Sequence, residues 1–146
     1  MNTLGLRDKL QQVVLAKDSP KKIAISFAAG IFIGMSPVLG LHTVLGIVAA
    51  WIFGLNKFVT IVGVYITNPW TIIPIYTFST WVGARLLGIT DIIPAVDWNN
   101  MSFTSLLGEI KPLLLPFIFG STLIGAVSAA IGYVVVYQAV MKRRND

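Results

Sequence analysis

Apolar residues fill three long stretches of the chain, and polar residues are concentrated in the segments between them. His42 is the one ionisable residue between Lys22 and Lys57, and the residues between Lys111 and Lys142 include none. Uncharged apolar runs longer than about 18 residues are typical of membrane segments rather than of the core helices of soluble domains. The pattern therefore predicts an all-α integral membrane protein.

The alternation of apolar and polar stretches divides this single membrane domain into five segments. They are an N-terminal amphipathic surface helix at 1–18, a broken hairpin at 19–57, a second broken segment at 58–88, an acidic outer loop at 89–112, and one long C-terminal transmembrane helix with a basic tail at 113–146.

Proline and glycine break both of the central apolar stretches. The first stretch is interrupted at Pro37 and Gly40, and the second at Asn68-Pro69. Proline removes a helical hydrogen bond and restricts the residue before it. A helical arm of about 15 residues rises only about 22 Å, which is less than a bilayer core of about 30 Å. We therefore predict two Pro/Gly-broken helical hairpin units, and the sequence leaves open whether residues 23–55 span the bilayer or re-enter it.

Basic residues lie near both ends of the chain, and acidic residues predominate in the 89–112 segment. Cytoplasmic loops of membrane proteins carry an excess of lysine and arginine. We expect both termini to be cytoplasmic and the protein to lie in the bacterial cytoplasmic (inner) membrane. The net charge of +5 then favours contact with anionic lipid over nucleic acid.

The composition disfavours several classes of chemistry. The apolar fraction is 55%, the charged fraction 12% and the mean hydropathy +0.80, with no cysteine and a single histidine. Thiol chemistry is thereby excluded, and a metal site has too few ligands. No carboxylate lies inside an apolar run, which argues against a buried proton relay. We expect no cofactor, no metal and no enzymatic activity.

The two breaks supply the candidate binding residues. Broken helices expose backbone N–H groups and positive dipole ends, with which transporters hold anionic substrates at mid-membrane, and an arginine can clamp a phosphate. The candidates for substrate binding are Pro37, His42, Asn68, Pro69, Thr71 and Arg85. The alternatives are a locally bonded turn for the first break, a satisfied kink for the second, and contact with lipid headgroups for the arginine.

Small residues recur at three- and four-residue spacing along the apolar stretches, which is typical of close helix–helix contact in membranes. The predicted helix-packing residues are Gly30, Gly34, Gly46, Ala50, Gly54, Ser121, Gly125 and Ala129. They indicate packing against other helices, either of this protein or of another membrane protein.

Over residues 19–88 the chain resembles the bacterial membrane family named domain of unknown function 2062. The matching pieces are A-x-S-F-A-A-G-I-F-I-G-M-S-P-V-L-G-L-H-T at 24–43, L-N-K at 55–57 and T-N-P-W-T-I-I-P-I-Y at 67–76. The resemblance implies a short protein with an amphipathic N-terminus. Fusion of some members to glycosyltransferase domains implies a lipid-linked sugar or polyprenyl-phosphate context, but no catalytic residue is carried over.

These observations favour a small accessory or scaffolding subunit of a larger membrane complex, without catalysis of its own. The alternative is a transporter or scramblase-like carrier of an anionic lipid of the polyprenyl-phosphate type, acting as a homo-oligomer. The expected partners are the lipid bilayer, other membrane proteins or further copies of the chain and, under the alternative, an anionic lipid.

Overall fold

The computed structural model describes residues 17–38, 40–91, 99 and 102–145. Residues 1–16 of the predicted surface helix at 1–18, and most of the non-helical part of the 89–112 loop, lie outside these residues. Within them the chain forms five helices and no strand, which confirms the all-α prediction. The helices are α1 (Pro20–Met35), α2 (His42–Ile52), α3 (Lys57–Val64), α4 (Ile72–Leu86) and α5 (Phe103–Asn145).

Helix α1 begins and ends where its sequence dictates. The Ser19 hydroxyl accepts a hydrogen bond from the Lys22 amide at 3.2 Å, and Pro20 occupies the first turn, where no N–H is needed. At the other end Ser36 is extended, with ψ at 152°, because the ring of Pro37 disfavours a helical conformation in the residue before it.

Helices α1 and α3 run parallel and touch through their backbones. A Cβ atom added at Gly30 would lie 2.9 Å from the Gly63 Cα, and one added at Gly34 would lie 3.2 Å from the Val64 Cα. One turn earlier, the Asn56 amide donates to the Ser26 hydroxyl at 2.8 Å. Later residues of α1 contact later residues of α3, as in two parallel helices. Glycine is required at positions 30 and 34 because any side chain there would force the two helices apart.

Helix α2 returns beside α1 and α3, so the first broken unit is a hairpin. A Cβ at Gly46 would lie 2.9 Å from the Val64 side chain, and Ala50 is buried. A Cβ added at Gly54 would meet nothing within 4 Å. Gly54 adopts φ 62° in the turn after α2, a conformation that glycine enters without steric cost, so its role is in the turn rather than in packing.

Helix α5 runs antiparallel to both α1 and α4. Its C-terminal half packs on α1, where Gly125 approaches Phe32 and Met35. Its N-terminal half packs on α4, where a Cβ at Gly120 would lie 2.9 Å from the Gly83 amide nitrogen. Small side chains make these crossings possible: Ser121 is fully buried beside them, whereas Ala129 is only partly covered.

The second broken unit is not a hairpin, contrary to the prediction. Helices α1, α3 and α4 all run in the same direction, because α1 and α3 are parallel and α1 and α4 are both antiparallel to α5. Helix α4 therefore continues onward from α3 instead of folding back on it, and it packs on α5. Proline predicts a break in a helix but does not fix the direction in which the chain leaves it.

Helix α5 begins ten residues earlier than the sequence pattern indicated, so the predicted loop at 89–112 ends at 102. Ser102 starts the helix: its hydroxyl accepts from the Ser105 amide at 3.2 Å, and the Ser105 hydroxyl accepts from the Ser102 amide at 2.9 Å. Two prolines, Pro112 and Pro116, lie inside the helix. The Pro116 carbonyl contacts Gly83, so packing on α4 holds the helix together there.

A polar cluster ties the starts of α1 and α3 to the end of α5. Asn56 caps α3 by accepting from the Val59 amide at 3.1 Å and donates to the Asp18 carboxylate at 2.7 Å. The Asp18 carboxylate also pairs with the Lys22 ammonium at 3.0 Å. The Arg144 guanidinium donates to the Asp18 backbone carbonyl at 2.5 Å. The hydrogen bonds from Lys22 and Asn56 hold the pKa of Asp18 below its usual value.

Candidate functional site

The two breaks lie side by side, next to the middle of α5. The end of α1 meets the end of α3, since a Cβ at Gly34 would lie 3.3 Å from the Thr67 hydroxyl. A Cβ added at Gly125 would lie 3.4 Å from the Met35 Cβ at the end of α1. Gly125 lies near the centre of the uncharged run between Lys111 and Lys142. Residues that are 30 positions apart in the sequence thus form one polar region.

One backbone carbonyl and two side chains converge at the first break. The Ser36 carbonyl lies 3.1 Å from His42 Nε2 and 3.1 Å from the Tyr76 hydroxyl, and these two groups are 3.2 Å apart. The ring of Tyr76 packs edge-on against Phe117, with 4.8 Å between the centroids. These three groups therefore join the turn after α1, the start of α2 and helix α4.

The contacts of His42 Nε2 fit two tautomers of the ring. With the hydrogen on Nε2, the ring donates to the Ser36 carbonyl; with the hydrogen on Nδ1, Nε2 accepts from the Tyr76 hydroxyl. In both tautomers Nδ1 makes no hydrogen bond within the described residues, which leaves it free to form one with another molecule.

The second break is closed by its own side chains. The Asn68 carboxamide oxygen accepts from the amides of Trp70 at 2.9 Å and Thr71 at 3.0 Å. The Thr71 hydroxyl accepts from the Asn68 amide at 2.9 Å and donates to the Ile66 carbonyl at 3.0 Å. The Asn68 oxygen and the Thr71 hydroxyl thus satisfy backbone groups that the break releases, whereas the side-chain NH2 of Asn68 donates no hydrogen bond within the described residues.

A family model described as "Uncharacterized protein conserved in bacteria (DUF2062)" matches residues 5–146. The chain belongs to the DUF2062 family. The match extends through α5, beyond the 19–88 region on which the resemblance was recognised. No curated protein and no solved structure matches the chain.

The sequence pieces that resemble DUF2062 proteins hold the groups that close the two breaks. Ser36 and His42 belong to the first piece, Asn56 to the second, and Asn68, Thr71 and Tyr76 to the third. Tyr76 was not among the predicted site residues, although it ends the third piece. In this DUF2062 chain those pieces therefore coincide with hydrogen bonds between distant segments, made by Ser36, His42, Asn56 and Tyr76, and with the local hydrogen bonds of Asn68 and Thr71.

Arg85 does not join the other candidates. It lies in the last turn of α4, about 14 Å along the helix from Tyr76. Its guanidinium lies 5.5 Å from the centroid of the Trp81 ring, on its own helix. Pro37 and Pro69 shape the two turns, and neither contributes a donor. Of the six predicted residues, His42 and Asn68 lie at the breaks and keep a side-chain nitrogen without a hydrogen bond within the described residues.

Two buried hydroxyls were missed by sequence reasoning. The hydroxyls of Thr67 and Ser79 are buried without a hydrogen-bond partner in the described structure. Thr67 lies between the two breaks, and Ser79 lies in the crossing of α4 with α5. No group of three potential metal ligands occurs among the described residues. Among the described residues, the polar groups at the two breaks are hydroxyl, carbonyl, carboxamide and imidazole groups.

Proposed function

We propose that this DUF2062 chain is an integral protein of the bacterial cytoplasmic membrane with both termini in the cytoplasm. Helix α5 is long and apolar enough to cross a membrane, with a mean hydropathy of 2.0 over an 18-residue window of which only 22% is buried within the chain. Large apolar side chains such as Trp51, Phe53 and Ile73 are more than 60% exposed. Lipid contact removes the unfavourable hydration of such a surface.

In this placement the first hairpin enters the membrane from the cytoplasm and returns without crossing the whole hydrocarbon core. Helix α1 rises about 24 Å beside the C-terminal half of α5 and ends next to Gly125. Helices α3 and α4 together rise about 34 Å, enough to cross a core of about 30 Å. The chain then contains two complete crossings, one broken and one continuous, and one re-entrant hairpin.

The uncovered turn of the hairpin carries the functional proposal. Within the described residues, the amides of Val38 and Gly40 donate no hydrogen bond, and Leu41 is 54% exposed. Irregular backbone at membrane depth is tolerated only where protein covers it or where it lines a water-filled cavity. The described residues of one chain leave this turn uncovered in lipid, and we propose that a further component covers it.

We therefore assign the protein as an accessory or scaffolding subunit of a larger membrane complex, without catalysis of its own. The exposed face of α2 is the surface that fits a partner. Helix α2 directly follows the uncovered turn, and of its eleven residues only Gly46 and Ala50 are buried. Its outer side chains include Val44, Ile47 and Trp51. A partner helix lying against α2 and the turn would cover both.

The second candidate function is a homo-oligomeric carrier of an anionic, polyprenyl-phosphate-type lipid. The observation that favours it is the free Nδ1 of His42 at mid-depth, beside the uncovered turn. Under this alternative, copies of the chain surround a wet cavity, and His42 contacts the headgroup as it crosses.

The membrane placement predicts a specific accessibility pattern, and the absence of cysteine makes it simple to measure. Single-cysteine variants Lys57→Cys, Asp91→Cys and Val38→Cys are prepared in sealed membrane vesicles. A membrane-impermeant maleimide should label position 57 only from the cytoplasmic side and position 91 only from the opposite side. Position 38 should be protected from both. Labelling of position 38 from the outer side would show that the hairpin spans the bilayer instead.

The accessory role predicts a cross-link through α2. A photoreactive amino acid replaces Val44 or Ile47 in the native bacterium, and Val135, which is 58% exposed on α5, serves as the control position. Irradiation should join the α2 positions, but not the control, to a different polypeptide, identified by mass spectrometry. Cross-links to a second copy of the same chain would instead support the carrier, and cross-links to lipid alone would contradict both.

A further inference from the structure

An apolar groove separates α1 from α5 on the surface of the molecule. Its floor consists of Ala28 and Ala29 from α1 and Ala129 and Ala130 from α5, and its volume is about 480 Å³. Larger side chains form the walls, among them Phe32 and Tyr133. The groove lies on a different side of α1 from the glycines that contact α3, so the accessory partner proposed for α2 does not occupy it.

A free cation lies at one end of this groove. Lys21 precedes Ile25, a wall residue of the groove, by one helical turn, and therefore shares its face of α1. Lys22 is paired with Asp18, whereas Lys21 makes no ion pair or hydrogen bond within the described residues. On α5, Tyr137 stacks on Tyr133, with 5.9 Å between the ring centroids, and extends the groove wall in the same direction.

The groove and Lys21 together span about one leaflet of a bilayer. The groove rises about 10 Å from Ile25 to Phe32. With the turn that leads to Lys21 the rise is about 17 Å, and half of a hydrocarbon core of about 30 Å is about 15 Å. Beyond Phe32 the gap closes, because Gly125 contacts Phe32 and Met35. A spanning partner helix would need a surface that continues through the other leaflet, whereas an acyl chain from the cytoplasmic leaflet ends where this groove ends.

We propose that the groove is a binding site for an acidic phospholipid of the cytoplasmic leaflet. One acyl chain lies on the alanine floor, and the phosphate contacts the Lys21 ammonium at the open end. The positive charge of Lys21 favours an anionic headgroup. The apolar walls of the groove suit an acyl chain, which has no hydrogen-bonding groups. This proposal rests on the membrane placement given above, but not on the identity of a protein partner.

Native mass spectrometry of the detergent-solubilised full chain tests the proposal, with phosphatidylglycerol and phosphatidylcholine as probes. The wild type should retain one phosphatidylglycerol in preference to phosphatidylcholine. A basic residue near an anionic lipid contributes about 1 kcal/mol, so Lys21→Gln should lower phosphatidylglycerol affinity about fivefold and remove most of that preference. Lys57→Gln, which removes a base at the start of α3, is the matched control and should change neither.

The groove itself is tested by Ala29→Phe, which fills the floor. It should abolish binding of both lipids while the melting temperature stays near that of the wild type. If Ala29→Phe does not fold, Lys21→Gln still decides the question. Equal losses in Lys21→Gln and Lys57→Gln would show diffuse charge attraction and overturn the site. Dissociation of a dimer by Ala29→Phe would show that a second copy occupies the groove. Because cysteine labelling tests the membrane placement separately, loss of the lipid site alone leaves that placement standing.

Discussion

Alanine in place of Gly120 is expected to destabilise the protein by about 3 kcal/mol. The new Cβ would lie 2.7 Å from the Ser79 carbonyl carbon and 2.9 Å from the Gly83 amide nitrogen. Both are backbone atoms that cannot rotate away, so α4 and α5 must move apart. Overpacking of this kind costs about 1–3 kcal/mol and occasionally more, and backbone contact on both sides places Gly120 at the upper end.

The measurement is thermal unfolding in mild detergent, with Gly108→Ala as the matched control on the same helix. A Cβ at Gly108 would meet nothing within 4 Å. There, alanine should stabilise the helix by up to about 1 kcal/mol because of its higher helix propensity. If both variants were stabilised alike, α4 and α5 would not cross at Gly120.

Alanine in place of Asn68 is expected to destabilise the protein by about 1–3 kcal/mol. The substitution removes the oxygen that accepts from the amides of Trp70 and Thr71. The Thr71 amide keeps the Asn68 backbone carbonyl as an acceptor at 3.0 Å, whereas the Trp70 amide loses its acceptor, at a cost of about 1–3 kcal/mol in an apolar environment. Unfolding in detergent measures the loss, and Thr77→Val is the control, since the Thr77 hydroxyl bonds only to the Ile73 carbonyl one turn earlier.

This prediction also bears on how a binding role would be recognised. Loss of activity in an Asn68 variant would reflect a damaged turn and would carry no information about a ligand. Tyr76→Phe is a cleaner probe, because it removes one hydroxyl and retains the ring that packs on Phe117. An Asn68→Ala protein as stable as the wild type would contradict the structural role assigned to the carboxamide.

Sequence patterns predicted where the helices are broken better than how they are arranged. Pro37 and Pro69 locate the breaks because proline acts on its immediate neighbours. Whether the chain then reverses or continues depends on contacts with α5, which lies far away in the sequence. The early start of α5 was missed because a capping interaction between Ser102 and Ser105 carries no hydrophobic signal.

The candidate site shows the same division between local and distant information. His42 and Asn68 were found because each is a polar residue in an apolar stretch. Tyr76 was overlooked because a tyrosine in a helix is ordinary until the Ser36 carbonyl is placed 3.1 Å from its hydroxyl. Arg85 was included on charge alone, and its distance from the breaks follows only from the direction of α4.

The contact between Asp18 and Arg144 joins residues that are 126 positions apart, and this separation bears on how the protein is made. At a synthesis rate of about 10 residues per second, α1 leaves the ribosome roughly ten seconds before the half of α5 that covers it. In the membrane placement proposed above, the α1–α2 hairpin would spend that interval in the bilayer without the half of α5 that packs on it. The proposed placement therefore requires that α1 and α2 be retained near the site of insertion until α5 is complete.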